Sequence, residues 1–563
     1  MTDAASRVEA ARKALADAEA ALAAESAPAV APPPPSGLLS SDEIDTVRAG
    51  YAFSGPVLEL GALVDGDARP DVPVRIPIAM LNRHGLVAGA TGTGKTRTLQ
   101  LLAEQLSAAG VPVFAADIKG DLSGIARAGE PSEKLLARTA GIGQQWSPAA
   151  HPTEFFTLGD AGTGIPIRAT VSSFGALLLA RVLGLNATQE SSLGLVFHYA
   201  DSAGLPLVDL SDLRAVLTWL TSPEGRPALK ELGGLSGATA GVILRELIAF
   251  ADQGAEAFFG EPEIDTALFL RTRDDGVGIV SLLEIPGVQE RPALFSTFLM
   301  WLLADLFNDL PEVGDLDRPK LVFFFDEAHL LFRDASRDFL ESITQTVRLI
   351  RSKGVGIVFV TQTPKDVPND VLAQIGSRIQ HQLRAHTPDD AKALRATVST
   401  YPTSGYDLGE VLTSLATGEA VVTVMSERGA PTPVAWTRLR APQGSMSPIP
   451  SEVMRQAVAL SPLLPDYGTP VDRESAREIL AAKMNAAAEA DAAQTAREQA
   501  EKARRASERA ARPTTAPRTT TSRTTTSRTR VEKNPIEQAL GSRAGQTIVR
   551  EVLRGIFGTL KRR

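Results

Sequence analysis

Residues 89–96 combine glycines, a lysine and a hydroxyl in a spacing that suits a triphosphate. Gly89, Ala90, Thr91, Gly92, Thr93, Gly94, Lys95 and Thr96 fit the pattern G-x-x-x-x-G-K-[ST] in full. Glycines let the backbone curl until successive N–H groups point inward at phosphate oxygens, and a following helix adds its positive end. Lys95 can then reach the β- and γ-phosphates, while the Thr96 hydroxyl can ligate Mg²⁺. The competing reading is an ordinary glycine-rich turn between strand and helix. Lys95 and Thr96 at the required positions speak against it.

A partner to this loop lies far downstream. The apolar run Leu321, Val322, Phe323, Phe324, Phe325 ends in Asp326 and Glu327. After a buried strand both acids emerge at the carboxyl edge of a parallel sheet, where phosphate loops also open. Asp326 suits a water-mediated contact to Mg²⁺, and Glu327 suits polarisation of an attacking water. A capping pair of acids after any strand is the plain alternative, and the phosphate loop tips the balance against it. A third apolar run, 355–361, delivers Gln362 to the same edge, where a polar side chain can sense a γ-phosphate or hold the water. There the plain alternative is a strand-end turn favoured by Pro364.

Such groups need a rigid sheet behind them. Short apolar runs at 86–88, 111–117, 277–283, 321–325, 355–361, 379–384 and 420–425 alternate with helical patterns. That alternation predicts an α/β fold with a mostly parallel sheet covered on both faces. Helical periodicity over 174–183, 188–202, 210–220 and 238–251 predicts an α-helical insertion at about residues 170–255. The ATPase core is expected over 84–445. Ahead of it are expected an Ala-rich helix (1–26), a Pro-rich linker (27–37) and a small β element (38–83). Behind it follow a mostly exposed helical segment (446–512), a Thr/Arg-rich linker too polar to order itself (513–530) and a basic amphipathic helix (531–563).

Composition narrows the chemistry. With no cysteine in 563 residues, disulfides, thiolate metal sites and cysteine nucleophiles are excluded, and six scattered histidines leave little for an imidazole-built metal centre. The longest apolar stretch, 295–307, is broken by Ser296, Thr297 and Asp305, so no membrane span is expected. The start carries no basic segment followed by an apolar one, which predicts no signal peptide and a cytoplasmic location. The net charge of −8 divides into +9 over residues 512–563 and −17 over the rest. An acidic body with a basic tail permits nucleic-acid binding in a local channel or through the tail, not over the whole surface.

At this point the residues resemble a family. His84-Gly85-Leu86-Val87-Ala88, Phe325-Asp326-Glu327-Ala328-His329, Arg348-Leu349-Ile350-Arg351-Ser352-Lys353-Gly354 and Val360-Thr361-Gln362-Thr363-Pro364 are similar to the motifs of the HerA–FtsK superfamily of ring-forming motor ATPases. The chain looks most like its bacterial HerA-like branch. Asp117-Ile118-Lys119-Gly120-Asp121-Leu122-Ser123 and Leu185-Asn186-Ala187-Thr188-Gln189-Glu190 look like that branch too, and the likeness spans about residues 40–445. The resemblance implies a RecA-like P-loop core, a homo-hexameric ring, ATP sites between subunits, translocation of double-stranded DNA, and an arginine supplied by a neighbour. Arg351 and Arg384 are the candidates for that arginine, with Arg348 a third, and each also reads as an ordinary ion-pair partner. Asp-Glu-Ala-His spells another helicase box as well, but that class needs a Ser/Thr-Ala-Thr motif and a Q-x-x-G-R-x-G-R segment absent here, so His329 is expected to be structural. A protein-handling ATPase and a slow regulatory NTPase recruited to a protein partner through its terminal helices are the alternatives from other classes.

Overall fold

The computed structural model describes residues 39–159, 162–231, 233–285, 292–314, 316–332 and 337–510. The expected N-terminal helix, Pro-rich linker, Thr/Arg linker and basic C-terminal helix lie outside the described residues. The chain divides after Ala486 into two units. Described residues of the second unit belong to the last part of the helix Ala476–Ala510, with side chains exposed from Ala487 to Ser507. Few large apolar residues in that stretch leave it no face to bury. Among the described residues no helix is long and apolar enough to cross a membrane.

The first unit is an α/β fold built on twelve strands in one sheet. In chain order these are β1 (Val57–Asp65), β2 (Asp67–Pro77), β3 (Gly85–Ala88), β4 (Val113–Asp117), β5 (Thr153–Leu158), β6 (Ile165–Ile167), β7 (Val280–Glu284), β8 (Leu321–Phe325), β9 (Val355–Thr361), β10 (Ser377–Gln380), β11 (Glu419–Thr423) and β12 (Ala435–Leu439). Their spatial order is β2-β1-β12-β11-β10-β3-β9-β8-β4-β7-β5-β6. From β10 to β6 every neighbouring pair is parallel, and the β2-β1-β12-β11 side is antiparallel. The residues expected as a small β element supply β1 and β2, and β1 pairs with β12 at the antiparallel edge.

Central strands are apolar on both faces because both faces are covered. In β8, Leu321, Phe323 and Phe325 join the core shared with the helical insertion, while Val322 and Phe324 join the core under the helix Lys95–Ala108. Phe323 stacks on Phe325 with centroids 5.8 Å apart and leans on Phe114 at 5.3 Å. The insertion carries helices Ala176–Val182, Ala187–Ser202, Leu210–Thr221 and Gly237–Asp252, close to the expected spans. It lies in the chain between β6 and β7.

Three strands escaped the sequence reading. β6 is Ile-Pro-Ile, and its proline is tolerated because it lies at the sheet's edge. β5 and β12 mix polar and apolar residues without clear alternation. Several expected strands overrun the observed ones, at 111–112, 277–279 and 424–425, and most of all at 379–384, which pairs only to Gln380, opposite Ala88. Beyond Ala88 the neighbouring chain turns into the phosphate loop, where bonds from His381 N to Ala88 O and from Ala90 N to Gln382 O tie the two segments past the end of the strand.

Candidate nucleotide-binding site

The loop after β3 is held from three sides. Gly89 N donates to Thr361 O at 3.2 Å, Ala90 N to Gln382 O at 2.8 Å, and Gly418 N to Thr93 O at 3.0 Å. At Gly89 a side chain has no room, since a Cβ would lie 2.5 Å from the Cβ of His381. Gly92 is the opposite case: its φ is 82° and a Cβ would meet nothing within 4 Å, so backbone conformation demands glycine and open space remains at the loop. The first bond of the following helix runs from Thr98 N to Gly94 O at 3.0 Å, which leaves the amides of the turn before it to an anion. Thr96 stands half-buried in that turn. Lys95 folds back on the loop, its Nζ donating to Gly89 O at 2.6 Å and Ala90 O at 3.1 Å. Burial holds its ammonium below the ordinary lysine range, against the pull of Glu327 and Asp326.

The acids meet this loop at the same carboxyl edge, with β9 between β3 and β8. Asp326 and Glu327 are 7% and 3% exposed. Glu327 adopts φ 48°, a left-handed conformation that costs a non-glycine residue on the order of 1–3 kcal/mol and concentrates at functional sites. The turn is tied by Glu327 N to Asp326 Oδ1 at 2.9 Å and by Ala328 N to Val360 O at 2.8 Å. Lys119, in the loop after β4, pairs with Glu327 Oε1. His329 Nδ1 lies 3.2 Å from Oε2, and the Gln362 side chain stands close enough to favour the charged carboxylate. Burial pushes the Glu327 carboxyl up, but Lys119, His329 and Gln362 together overcome this and hold it below the usual range. Asp326 is raised, first by burial and then by the charge of Glu327.

Lys95, Asp326, Glu327 and Gln362 are therefore brought together, with Thr96 at the helix start. Arg384 is exposed four residues past β10, and its Nη2 lies 3.4 Å from Thr91 O. It faces a cavity of about 290 Å³ also lined by Thr91, Gln362, Lys365 and His386. Arg351 is not brought to this site. It opens the turn Arg351–Lys353 ahead of β9, at the amino edge of the sheet, where its charge is felt by His84. Arg348 lies on the exposed face of the helix Arg337–Ile350.

Some side chains at the site carried no assigned role in the sequence. His329, expected to be structural, stands beside Glu327. Lys119 had only its motif to mark it. Asp117, which ends β4, shapes the Lys119 loop by accepting from Asp121 N at 3.1 Å and Leu122 N at 2.7 Å. Burial pushes Asp117 up to about 6, and burial plus the Asp117 charge pushes Glu284, its register partner on β7, up to about 8. A strand-ending acid was the available signal for both. At the other edge, His84 (φ 61°) donates from Nε2 to Val347 O at 2.7 Å and accepts Ile357 N on Nδ1 at 3.1 Å. Burial lowers it to about 4, so it is neutral and locks β3 to β9 and to the helix Arg337–Ile350.

The donor set fits Mg²⁺. A threonine hydroxyl and a buried carboxylate are hard oxygen ligands, and among the described residues no three His, Asp or Glu side chains converge on a cation. That suits an ion held by one or two protein oxygens, with phosphates and water completing its shell.

A mostly parallel sheet with a glycine-curled phosphate loop and buried acids at one edge defines a P-loop nucleotide-binding protein. Its family follows: the model of the family described as Helicase HerA-like C-terminal matches residues 63–563, and the chain belongs to that family. The chain is 26% identical over 396 residues to the DNA double-strand break repair helicase HerA of Sulfurisphaera tokodaii, covering 69% of this chain and 70% of the relative. The protein of the same name from Sulfolobus acidocaldarius is 23% identical over 393 residues, again covering 69% and 70%. Among solved structures, the bacterial conjugative coupling protein TrwBΔN70 aligns with a TM-score of 0.49 at 15% identity, over 74% of this chain and 95% of that one.

Proposed function

We propose that this chain is an ATP hydrolase working as a HerA-like ring motor, a homo-hexamer that translocates on double-stranded DNA. One observation carries the reading: Lys95, Asp326, Glu327 and Gln362 converge at one sheet edge, beside a loop whose helix amides await an anion. The loop amides and Lys95 bind the triphosphate and offset its charge. Glu327 accepts a hydrogen bond from the attacking water and aims it in line with the γ-phosphate. Gln362, beside Glu327, supports that carboxylate and reports on the γ-phosphate. Thr96 and Asp326 would hold Mg²⁺, which would help neutralise the charge of the triphosphate. An arginine from a neighbouring subunit completes the site and is worth about three to five decades in rate. Arg351 suits that part because it stands far from its own chain's phosphate loop, while Arg384 lies beside that loop.

DNA as the track is supported by family membership and by the names of the two HerA relatives. The test is ATP turnover with and without duplex DNA across a salt series, beside a mass measurement that counts subunits. Stimulation by DNA that fades as salt rises supports the motor on nucleic acid. The acidic body, −17 outside the tail, favours a second reading as a protein-handling or regulatory ATPase, and turnover indifferent to DNA would select it.

A further inference from the structure

One oxygen of the Glu327 carboxylate is engaged, and the other, Oε2, is buried without a hydrogen-bond partner. Lys119 takes Oε1 and His329 Nδ1 lies 3.2 Å from Oε2. An attacking water needs a carboxylate oxygen to accept its hydrogen bond, so the Lys119 contact competes for one of the two oxygens open to that water. Lys119 differs from its partner in exposure. Its side chain is 41% exposed while that of Glu327 is 4% exposed, so the carboxylate is fixed and the ammonium has room to swing. The loop that carries it is pinned on the far side of Lys119, where Asp117 accepts from Asp121 N and Leu122 N. Lys119 also stands close enough to Lys95 for the two cations to repel, and both feel Asp326 and Glu327. Two lysines thus share one anionic mouth, although the phosphate-loop motif accounts for only one.

We propose that Lys119 is a second phosphate-binding lysine that Glu327 holds in the nucleotide-free site and that the γ-phosphate takes over. This inference rests on the ATP-hydrolase reading and deepens it. A triphosphate seated against Lys95 places its terminal phosphate before Glu327, because the attacking water must fit between them. That phosphate carries more negative charge than a carboxylate, and it draws the Lys119 ammonium across. Glu327 Oε1 is then open to water. A diphosphate lacks the terminal group, so Lys119 stays on Glu327 and Oε1 stays occupied. Lys119 therefore distinguishes triphosphate from diphosphate and couples that distinction to the acid.

The test uses the full-length chain with Lys119→Met, which keeps the alkyl stem, and Lys119→Arg, which keeps the charge. Affinity for a non-hydrolysable ATP analogue with Mg²⁺ and for ADP with Mg²⁺ is measured by calorimetry on each. Loss of one charge-assisted hydrogen bond weakens binding about tenfold to a hundredfold. Lys119→Met is expected to show that loss for the analogue, with ADP affinity held within about twofold. Lys119→Arg is expected to retain most of the preference for the analogue. Unchanged ADP binding doubles as the check that the variant folds. Equal weakening of both nucleotides, or of neither, overturns the role of Lys119 and leaves the ATP-hydrolase reading standing. A wild-type chain that binds neither nucleotide overturns both.

Discussion

In the proposed mechanism the aiming of the water falls to one residue, Glu327, whose backbone is left-handed. Its left-handed backbone fixes the carboxylate at the end of β8, and its three polar neighbours keep it charged against the burial that disfavours charge. Glu327→Gln keeps the shape and removes the acceptor strength on which the proposed mechanism relies to aim the water. Turnover is then expected to fall by about a hundredfold to ten-thousandfold while ATP stays bound, as a filter-binding assay would record. Lys95→Ala removes the main charge on the phosphates and is expected to lower turnover by at least about a hundredfold. Retained hydrolysis in either variant would take that residue out of the mechanism. Most of this site was legible in the sequence, since a phosphate loop and a strand-end acid pair are local patterns. Lys119 was not, because its partner is 208 positions away and only the sheet order β8-β4 makes them neighbours.

Among the elements, β4, β7 and β8 bear the load. Phe323 sits at the centre of β8 between Phe114 and Phe325. Phe323→Ala is expected to cost about 3–5 kcal/mol, read as a shift in the urea midpoint without a change in slope. The acids at the ends of these strands make stability depend on pH. Glu284 in the folded chain is raised to about 8, above its ordinary 4.5. Its contribution is therefore full below about 4.5 and is lost as pH rises toward 8. Glu284→Gln cannot ionise, so its stability relative to wild type should improve from pH 5 to pH 9 by on the order of a few kcal/mol. A difference that stays flat across that range would show that Glu284 titrates normally. The buried histidines act on the other side. His84 and His381 are lowered to about 4, so their contribution is full above 6.5 and falls away as pH drops toward 4.

Charge is divided over the whole molecule in a way that a single experiment can separate. Residues 512–563 carry +9 and the remainder −17. Deleting 512–563 should lower DNA affinity and flatten its dependence on salt if the tail makes the phosphate contacts. If DNA-stimulated turnover survives the deletion with its salt slope intact, the contacts lie in the body.

The sequence by itself determined the α/β class, the phosphate loop, the acid pair and Gln362, because each rests on local pattern and on periodicity within a few residues. It also placed the helical insertion, whose apolar stripes are continuous. Tertiary structure alone decided which strands neighbour each other, and hence that Lys119 meets Glu327, that Asp117 meets Glu284, and that Arg351 stands away from its own phosphate loop. It also joined β1 and β2 to the main sheet through β12, and ended β10 where the neighbouring chain turns into the phosphate loop. The reason is physical: pattern along a chain records which face of an element is buried, whereas strand order is fixed by packing between elements hundreds of residues apart.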